Sequence, residues 1–219
     1  MSRLHDVKSY SRRMQSEKQA ERYAKRFERG SRRRIDRREQ RAVRRIFLNL
    51  PQCQTVLDVP SGAGRFVNTL AQGGRIVIEM DVALEILVHA AERAAKTRTR
   101  ASAVQGDASH LPLQSEAVDC VFCNRLLHHI HFSHERMAIL REFHRVCRRW
   151  VVVSFFNYKG LASIRKLLKR LKGRTPPANS QPTIEEFGHE VTASGFHVKA
   201  VIGTGPFWVS QKYFLLEKE

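Results

Sequence analysis

The sequence predicts an α/β fold: a seven-stranded, mostly parallel sheet whose last strand is antiparallel, preceded by basic helices. Three observations carry this expectation. Short β-rich runs at 55–60, 75–81, 101–107, 118–124 and 150–156 are continuously apolar rather than alternating, as strands buried on both faces must be. Helical patterns at 65–71, 83–96 and 133–147 fall between most of those runs, which is the arrangement of a parallel sheet covered by helices. Near the C-terminus, two further runs are separated only by residues 203–206 and read as an antiparallel pair at the sheet edge.

Along the chain, Ala20, Tyr23, Ala24 and Phe27 recur at helical spacing and predict a first helix over 10–27. Gly30 interrupts it, and Ser31 is suited to cap a second helix that runs to about residue 49. That helix carries Ile35, Val43, Ile46, Phe47 and Leu50 on one side, and Pro51 ends it. The period then changes to strands. Residues 107–118 join two of them as a short loop containing Pro112 rather than as a helix. A Pro-rich linker, RTPPANSQP, precedes a helix over 183–194 that Gly195 stops. The organisation is a basic helical extension over 1–50 and one α/β domain over 51–219.

Charge is unevenly placed. The net charge is +18; residues 1–50 hold 17 Lys and Arg against 6 Asp and Glu. A second cluster, KGLASIRKLLKRLKGR at 159–174, holds seven basic residues and no acid. Leu161, Ile164, Leu167, Leu168 and Leu171 make an apolar stripe along it, the pattern of a basic amphipathic helix suited to an anionic membrane surface. The same leucines packed on the domain would instead leave a basic face for RNA, or both clusters would be solvated faces without a partner. The four cysteines lack the density of a small secreted domain and read as reduced thiols, and no signal-peptide core or membrane span is present. The expected location is cytoplasmic, with peripheral attachment at the inner face of a membrane as an option.

The turn after the first strand carries the chemistry. In TVLDVPSGAGRF the strand ends at Asp58, and Gly62 and Gly64 remove side chains where a ligand would approach the backbone. This is neither a full three-glycine dinucleotide fingerprint nor a phosphate loop, so a bare strand-to-helix turn remains the alternative. Three further strand ends argue for a ligand. Asp81 ends the second strand about twenty residues beyond the turn, where an acid can accept from both hydroxyls of a ribose. Asp107 ends the third, and Asn124 the fourth. A parallel sheet binds ligands at these carboxyl ends, where the strand order reverses.

The motifs VLDVPSGAGRF, IEMDVA, GDASHLPL and VDCVFCNRLLHHI together resemble those of the class I S-adenosylmethionine-dependent methyltransferases, of the methyltransferase-11 type that includes quinone methyltransferases. The resemblance covers residues 53–156 well and the C-terminal helix and strands loosely. It implies a Rossmann-like fold, S-adenosyl-L-methionine as cofactor, and a role for each motif. Asp58 with the turn at Pro60, Gly62 and Gly64 would lie around the methionyl and ribose portions. Asp81 would hold the ribose diol, Asp107 and Ala108 the adenine edge, and Asn124 would lie beside the methionine end through its backbone. Two positions depart from the family pattern. Pro60 stands where glycine is usual and donates no N–H, and Glu79 and Met80 replace a small and an apolar residue before Asp81.

A sulfonium methyl is already activated, so the protein must position the acceptor and needs a general base only if the acceptor must lose a proton. His128 and His129 follow the fourth strand, where they either orient or deprotonate an acceptor or simply pack with their imidazoles bonded to backbone. No metal site is expected: Cys120 and Cys123 point to opposite faces of their strand. Tyr23, Arg26, Phe27 and Arg125 are candidate lid and substrate-side residues, the first helix either closing over the cofactor or merely docking on the sheet. The resulting expectation is an enzyme that methylates a small or lipid-like, quinone-type, membrane-associated acceptor. An RNA methyltransferase and a non-catalytic protein that keeps the fold to bind a partner are the alternatives.

Overall fold

The structure, a computed structural model, describes residues 17–27, 30–50, 52–156, 183–205 and 211–219. The basic segment 159–174, the linker that follows it and residues 10–16 of the expected first helix lie outside the described residues. Seven strands form one sheet: β1 (Thr55–Asp58), β2 (Ile76–Asp81), β3 (Ala101–Gln105), β4 (Val118–Cys123), β5 (Cys147–Phe156), β6 (Phe196–Gly203) and β7 (Gln211–Lys218). Their order is β3-β2-β1-β4-β5-β7-β6. β1 to β5 are parallel, and β7 runs antiparallel to both of its neighbours, β5 and β6. The expected antiparallel pair at the sheet edge is present with one refinement: β7 inserts between β5 and β6, and β6 is the edge.

The helices are α1 (Glu17–Ala24), continued by a 3-10 turn at Lys25–Phe27, α2 (Gly30–Leu48), α3 (Val67–Leu70), α4 (Leu84–Lys96), α5 (Ser133–Val146) and α6 (Ile184–Thr192). α2 starts at Gly30, one residue before the expected cap at Ser31. It closes with the Asn49 side-chain amide donating to the Arg45 carbonyl (2.8 Å). α3 is shorter than the 65–71 pattern because Arg65 and Phe66 remain in the turn. A reciprocal capping box starts α6, with the Glu186 N–H donating to Thr183 Oγ1 (3.1 Å) and the Thr183 N–H to Glu186 Oε2 (2.6 Å).

Alternation along the strands sorts the core into two layers. Val56, Val77, Cys120, Phe122, Val152, Tyr213 and Leu215 pack under Val43, Ile46 and Phe47 of α2 and Val67 and Leu70 of α3. On the opposite face Leu57, Val121, Val151, Val153 and Phe214 pack under Ile139, Leu140 and Phe143 of α5 and Phe187 of α6. Phe155 stacks on Phe187 with ring centroids 4.3 Å apart. Cys120 and Cys123 go to different layers, as the strand period requires, and all four cysteines are buried thiols. No described helix is long and apolar enough to cross a membrane.

Candidate active site

The strand order reverses between β1 and β4, and the residues singled out in the sequence gather along the carboxyl rim on either side of that point. On the β1–β2–β3 side, Asp58, Glu79 and Asp81 share one face, since Asp58 pairs in register with Glu79 and Asp81 lies two residues further on. Asp81 is 1% exposed. Its Oδ2 accepts from the Gly62 N–H (3.0 Å) and its Oδ1 from the Ala83 N–H (3.1 Å). The carboxylate thereby ties the turn after β1 to the turn after β2.

The turn holds both glycines at positive φ, +56° for Gly62 and +65° for Gly64, which accounts for glycine there. They face different neighbours. A Cβ on Gly64 would lie 2.9 Å from the Ala90 Cα, so this glycine lets α4 approach the turn. A Cβ on Gly62 would lie 3.5 Å from the Tyr23 ring. Gly62, not Gly64, is therefore the bare surface beneath the N-terminal helix. Pro60 follows Val59 through a cis peptide bond. Ala20, Tyr23 and Ala24 of α1 pack on Ala63, Ala83 and Ile86, so α1 seats across both turns that Asp81 joins.

Buried acids dominate this half electrostatically. Burial, then the neighbouring Glu79, hold the Asp58 carboxyl well above the usual carboxylate range, and its Oδ2 has no hydrogen-bond partner. Burial pushes Glu79 up to about 8 against the weaker opposite pull of Ser61 and Arg93, and neither of its oxygens has a hydrogen bond of normal geometry. Glu79 also borders a cavity of about 160 Å³ under α4, lined with it by Ala91, Ala94, Ala95 and Ser102. Asp107 is half-buried, and its Oδ1 accepts from the Ser109 N–H (2.9 Å) and hydroxyl (2.8 Å); Ala108 beside it is buried.

The β4–β5–β7 side is built differently. Asn124 turns its side chain into the sheet, where its Oδ1 accepts from the Tyr213 hydroxyl (3.0 Å) and the Gln211 amide (3.3 Å). Arg125 follows at φ +61°, in the left-handed region, and its N–H donates to the Ser154 hydroxyl (2.7 Å). Its guanidinium reaches α2 and β7: Nε and Nη2 donate to Glu39 Oε1 (3.1 and 2.5 Å), and Nη2 also to Gln211 Oε1 (3.1 Å). The other oxygen of the fully buried Glu39 pairs with Arg65 (2.6 Å), which also pairs with Asp36 (2.8 Å). Phe27 lies against both guanidiniums, 4.2 Å from Arg65 and 5.6 Å from Arg125, and Arg26 stacks on Tyr23 at 3.9 Å.

His128 is buried, its ring tilted against those of Phe156 (centroids 4.4 Å apart) and His129 (3.9 Å), whereas His129 is exposed. Burial, then His129 and Arg125, pull the His128 imidazole down to about 3, so it is neutral at physiological pH and a weak base. Among the described residues no group of three His, Cys, Asp or Glu side chains is placed to hold a metal ion.

The structure thus brings Asp58, Pro60, Gly62, Gly64, Asp81, Asp107 and Ala108 to one half of the rim and Asn124, Arg125 and His128 to the other. Tyr23, Arg26 and Phe27 lie above the first half and reach toward the second. Glu39, Arg65, Gln211 and Tyr213 join the network around Arg125 and Asn124 and were not anticipated. The signal for Glu39 was present: it is one of two acids in a helix, GSRRRIDRREQRAVRRIFL, that is otherwise basic or neutral.

Comparison with known proteins agrees with this fold. Residues 56–149 match the family model described as "Methyltransferase domain". A malonyl-[acyl-carrier protein] O-methyltransferase of Hamiltonella defensa is 31% identical over 113 residues, covering 51% of this chain and 40% of that protein. Its counterpart in Pectobacterium atrosepticum is 29% identical over 120 residues, covering 54% and 45%. The chain therefore spans less than half the length of these curated relatives. Among solved structures, magnesium protoporphyrin IX methyltransferase of Synechocystis with bound SAH superposes with a TM-score of 0.72 at 18% identity, covering 91% of this chain and 94% of that one. A SAM-dependent methyltransferase from Aquifex aeolicus gives 0.59 at 19% identity, covering 76% and 82%. The match thus places a methyltransferase domain at residues 56–149, and the chain shares the fold of the solved S-adenosylmethionine-dependent methyltransferases.

Proposed function

We propose that this chain binds S-adenosylmethionine along the β1–β2–β3 half of its rim and methylates a small-molecule acceptor held over the β4–β5–β7 half. The observation that carries the reading is Asp81, a buried carboxylate held by the Gly62 and Ala83 N–H groups at the end of the second strand, the position from which an acid can accept from a ribose diol. The donor set fits a nucleoside: an acid for the ribose, a half-buried acid at Asp107 for the adenine edge, and a bare turn at Gly62. Asp58, with an unpartnered buried oxygen, is placed beside that turn. S-adenosylmethionine, when bound, supplies a methyl group already activated on a sulfonium sulfur. The protein's task is then to orient the acceptor and exclude water.

Tyr23 over Gly62 supports α1 as the cover of the cofactor half. Of the two histidines, exposed His129 is the better candidate to meet an acceptor, because His128 is buried and only weakly basic. Small-molecule or carrier-linked acceptors are named for relatives, and that class is the reading favoured for this chain. A lipid-like acceptor at a membrane surface rests on the amphipathic pattern of residues 159–174 alone.

Calorimetric titration with S-adenosylhomocysteine tests the reading. The wild type is expected to bind in the micromolar range, and Asp81→Asn, which keeps a side-chain acceptor but loses the charge, to bind at least tenfold more weakly while remaining folded. Absence of binding by the folded wild type would sink the enzyme assignment.

A further inference from the structure

The outer face of α2 concentrates positive charge that the rest of the chain does not offset. The helix carries eight arginines and no lysine, and all eight are exposed. Six of them, Arg34, Arg37, Arg38, Arg41, Arg44 and Arg45, recur at helical spacing and fall within about a third of the circumference, opposite Val43 and Ile46 in the core. They extend over about 16 Å of the helix axis. The two acids of the helix are used elsewhere: Asp36 pairs with Arg65, and Glu39 with Arg65 and Arg125. Among the described residues none of the six is paired with a carboxylate. The stretches of chain outside the described residues hold twelve Lys and Arg against two Asp and Glu, so they bring more of the same charge.

Such a row is unfavourable on its own. Like charges three and four residues apart on a helix repel, and Arg41 alone has four such neighbours in Arg37, Arg38, Arg44 and Arg45. A face kept soluble by charge is served as well by mixed signs, which avoid that cost. A polyanion laid along the row would remove it.

The composition of the row selects among polyanions. Guanidiniums bind phosphate oxygens with two parallel hydrogen bonds. The apolar side chains Ala42, Val43, Ile46 and Phe47 are already in the core, and only Leu48 is exposed beside the row. The helix therefore has no apolar face to lay into a lipid surface and no apolar centre for a protein interface. The row also lacks an aromatic ring on which an unpaired base could stack, and an amide to read adenine in a DNA major groove. A-form duplexes are recognised by shape, through phosphates and sugar hydroxyls, and need neither.

We propose that the outer face of α2 docks double-stranded RNA through its phosphate backbone, without regard to base sequence. This concerns a partner and not the methyl acceptor, and it stands apart from the methyltransferase reading.

The test is fluorescence anisotropy of the full chain with an RNA duplex of about 16 base pairs, the DNA duplex of the same sequence and the single RNA strand. Flotation with phosphatidylglycerol vesicles is run beside it. The RNA duplex is expected to bind about tenfold or more tightly than the other two nucleic acids, with an affinity that falls as salt rises. The triple variant Arg38→Gln, Arg41→Gln, Arg45→Gln is expected to bind it about tenfold or more weakly, with a slope of log K against log salt shallower by about 2–3. Its melting temperature should equal or exceed the wild type's, because like-charge pairs are removed, and its S-adenosylhomocysteine affinity should not change. Weaker binding then cannot be ascribed to unfolding. DNA or single-strand binding as tight as that of duplex RNA would overturn the proposal. So would undiminished RNA binding by the triple variant, which would place the contact on another basic stretch such as 159–174, or a wild type that floats with the vesicles and leaves RNA unbound.

Discussion

Asp58, Glu79 and Asp81 lie on one face at the ends of two adjacent strands, and each is 1% exposed. Three carboxyls so close cannot all ionise cheaply, and their environments divide the roles. Asp81 accepts from two backbone N–H groups, whereas burial holds the Glu79 and Asp58 carboxyls above the usual carboxylate range. The folded-state value of Glu79, about 8, lies above the ordinary 4.5, so the folded protein keeps a proton that the unfolded chain gives up. The stability cost is therefore absent below pH 4.5, grows as the pH rises toward 8, and is complete above it. That cost is on the order of 5 kcal/mol at the alkaline end. Glu79→Gln is expected to flatten the alkaline limb, with a melting temperature that exceeds the wild type's at pH 9 but not at pH 4. Parallel pH profiles of the two proteins check this.

The residues of the cofactor half were legible because their signals are local: an acid at a strand end and two glycines in the following turn. The sequence also marked Glu79 as unusual but could not say which side of the strand's end it served. The contacts of Arg125 with Glu39 and Gln211 each span 86 residues, and no local pattern announces them.

Among the elements, α5 and α6 are joined by a buried ion pair. Arg136 donates to both oxygens of Glu190, at 2.8 and 2.5 Å, and through Nη1 to the Ile130 and His131 carbonyls. The pair is 4% and 7% exposed, so removing one partner leaves a charge buried without its counterion. Arg136→Ala is expected to destabilise the fold by about 3–5 kcal/mol, and the double variant Arg136→Met with Glu190→Leu by much less. Denaturant unfolding of both measures the difference. Because Arg136 also fixes the carbonyls just after His129, loosening it should disturb the acceptor half before the cofactor half. Helix and strand periods revealed nearly every element, yet not the place of β7. Insertion of β7 between β5 and β6 brings Gln211 and Tyr213 onto Asn124. Strand order is a tertiary property, so the second half of the site stayed hidden while the first did not.

Across the whole molecule, the strand reversal divides the rim into an acidic half roofed by α1 and a cationic, aromatic half that joins α2 to β7. α2 serves both purposes: Ala42, Val43, Ile46 and Phe47 bury against the sheet, and Glu39 reaches the site. Its outer face exposes Arg32, Arg33, Arg34, Arg37, Arg38, Arg41, Arg44 and Arg45, while Asp36 and Glu39 are both spent on Arg65 or Arg125. Much of the +18 charge thus lies beside the site, where it raises the local concentration of anions. The central claim is that the turn at Gly62 and the carboxylate of Asp81 form a nucleoside site beneath Tyr23. A crystal structure of the chain with S-adenosylhomocysteine tests it most directly. The account predicts both ribose hydroxyls within hydrogen-bond distance of Asp81 and the sulfur directed toward Asn124. A nucleoside bound elsewhere, or one that leaves Asp81 and Gly62 untouched, would contradict it.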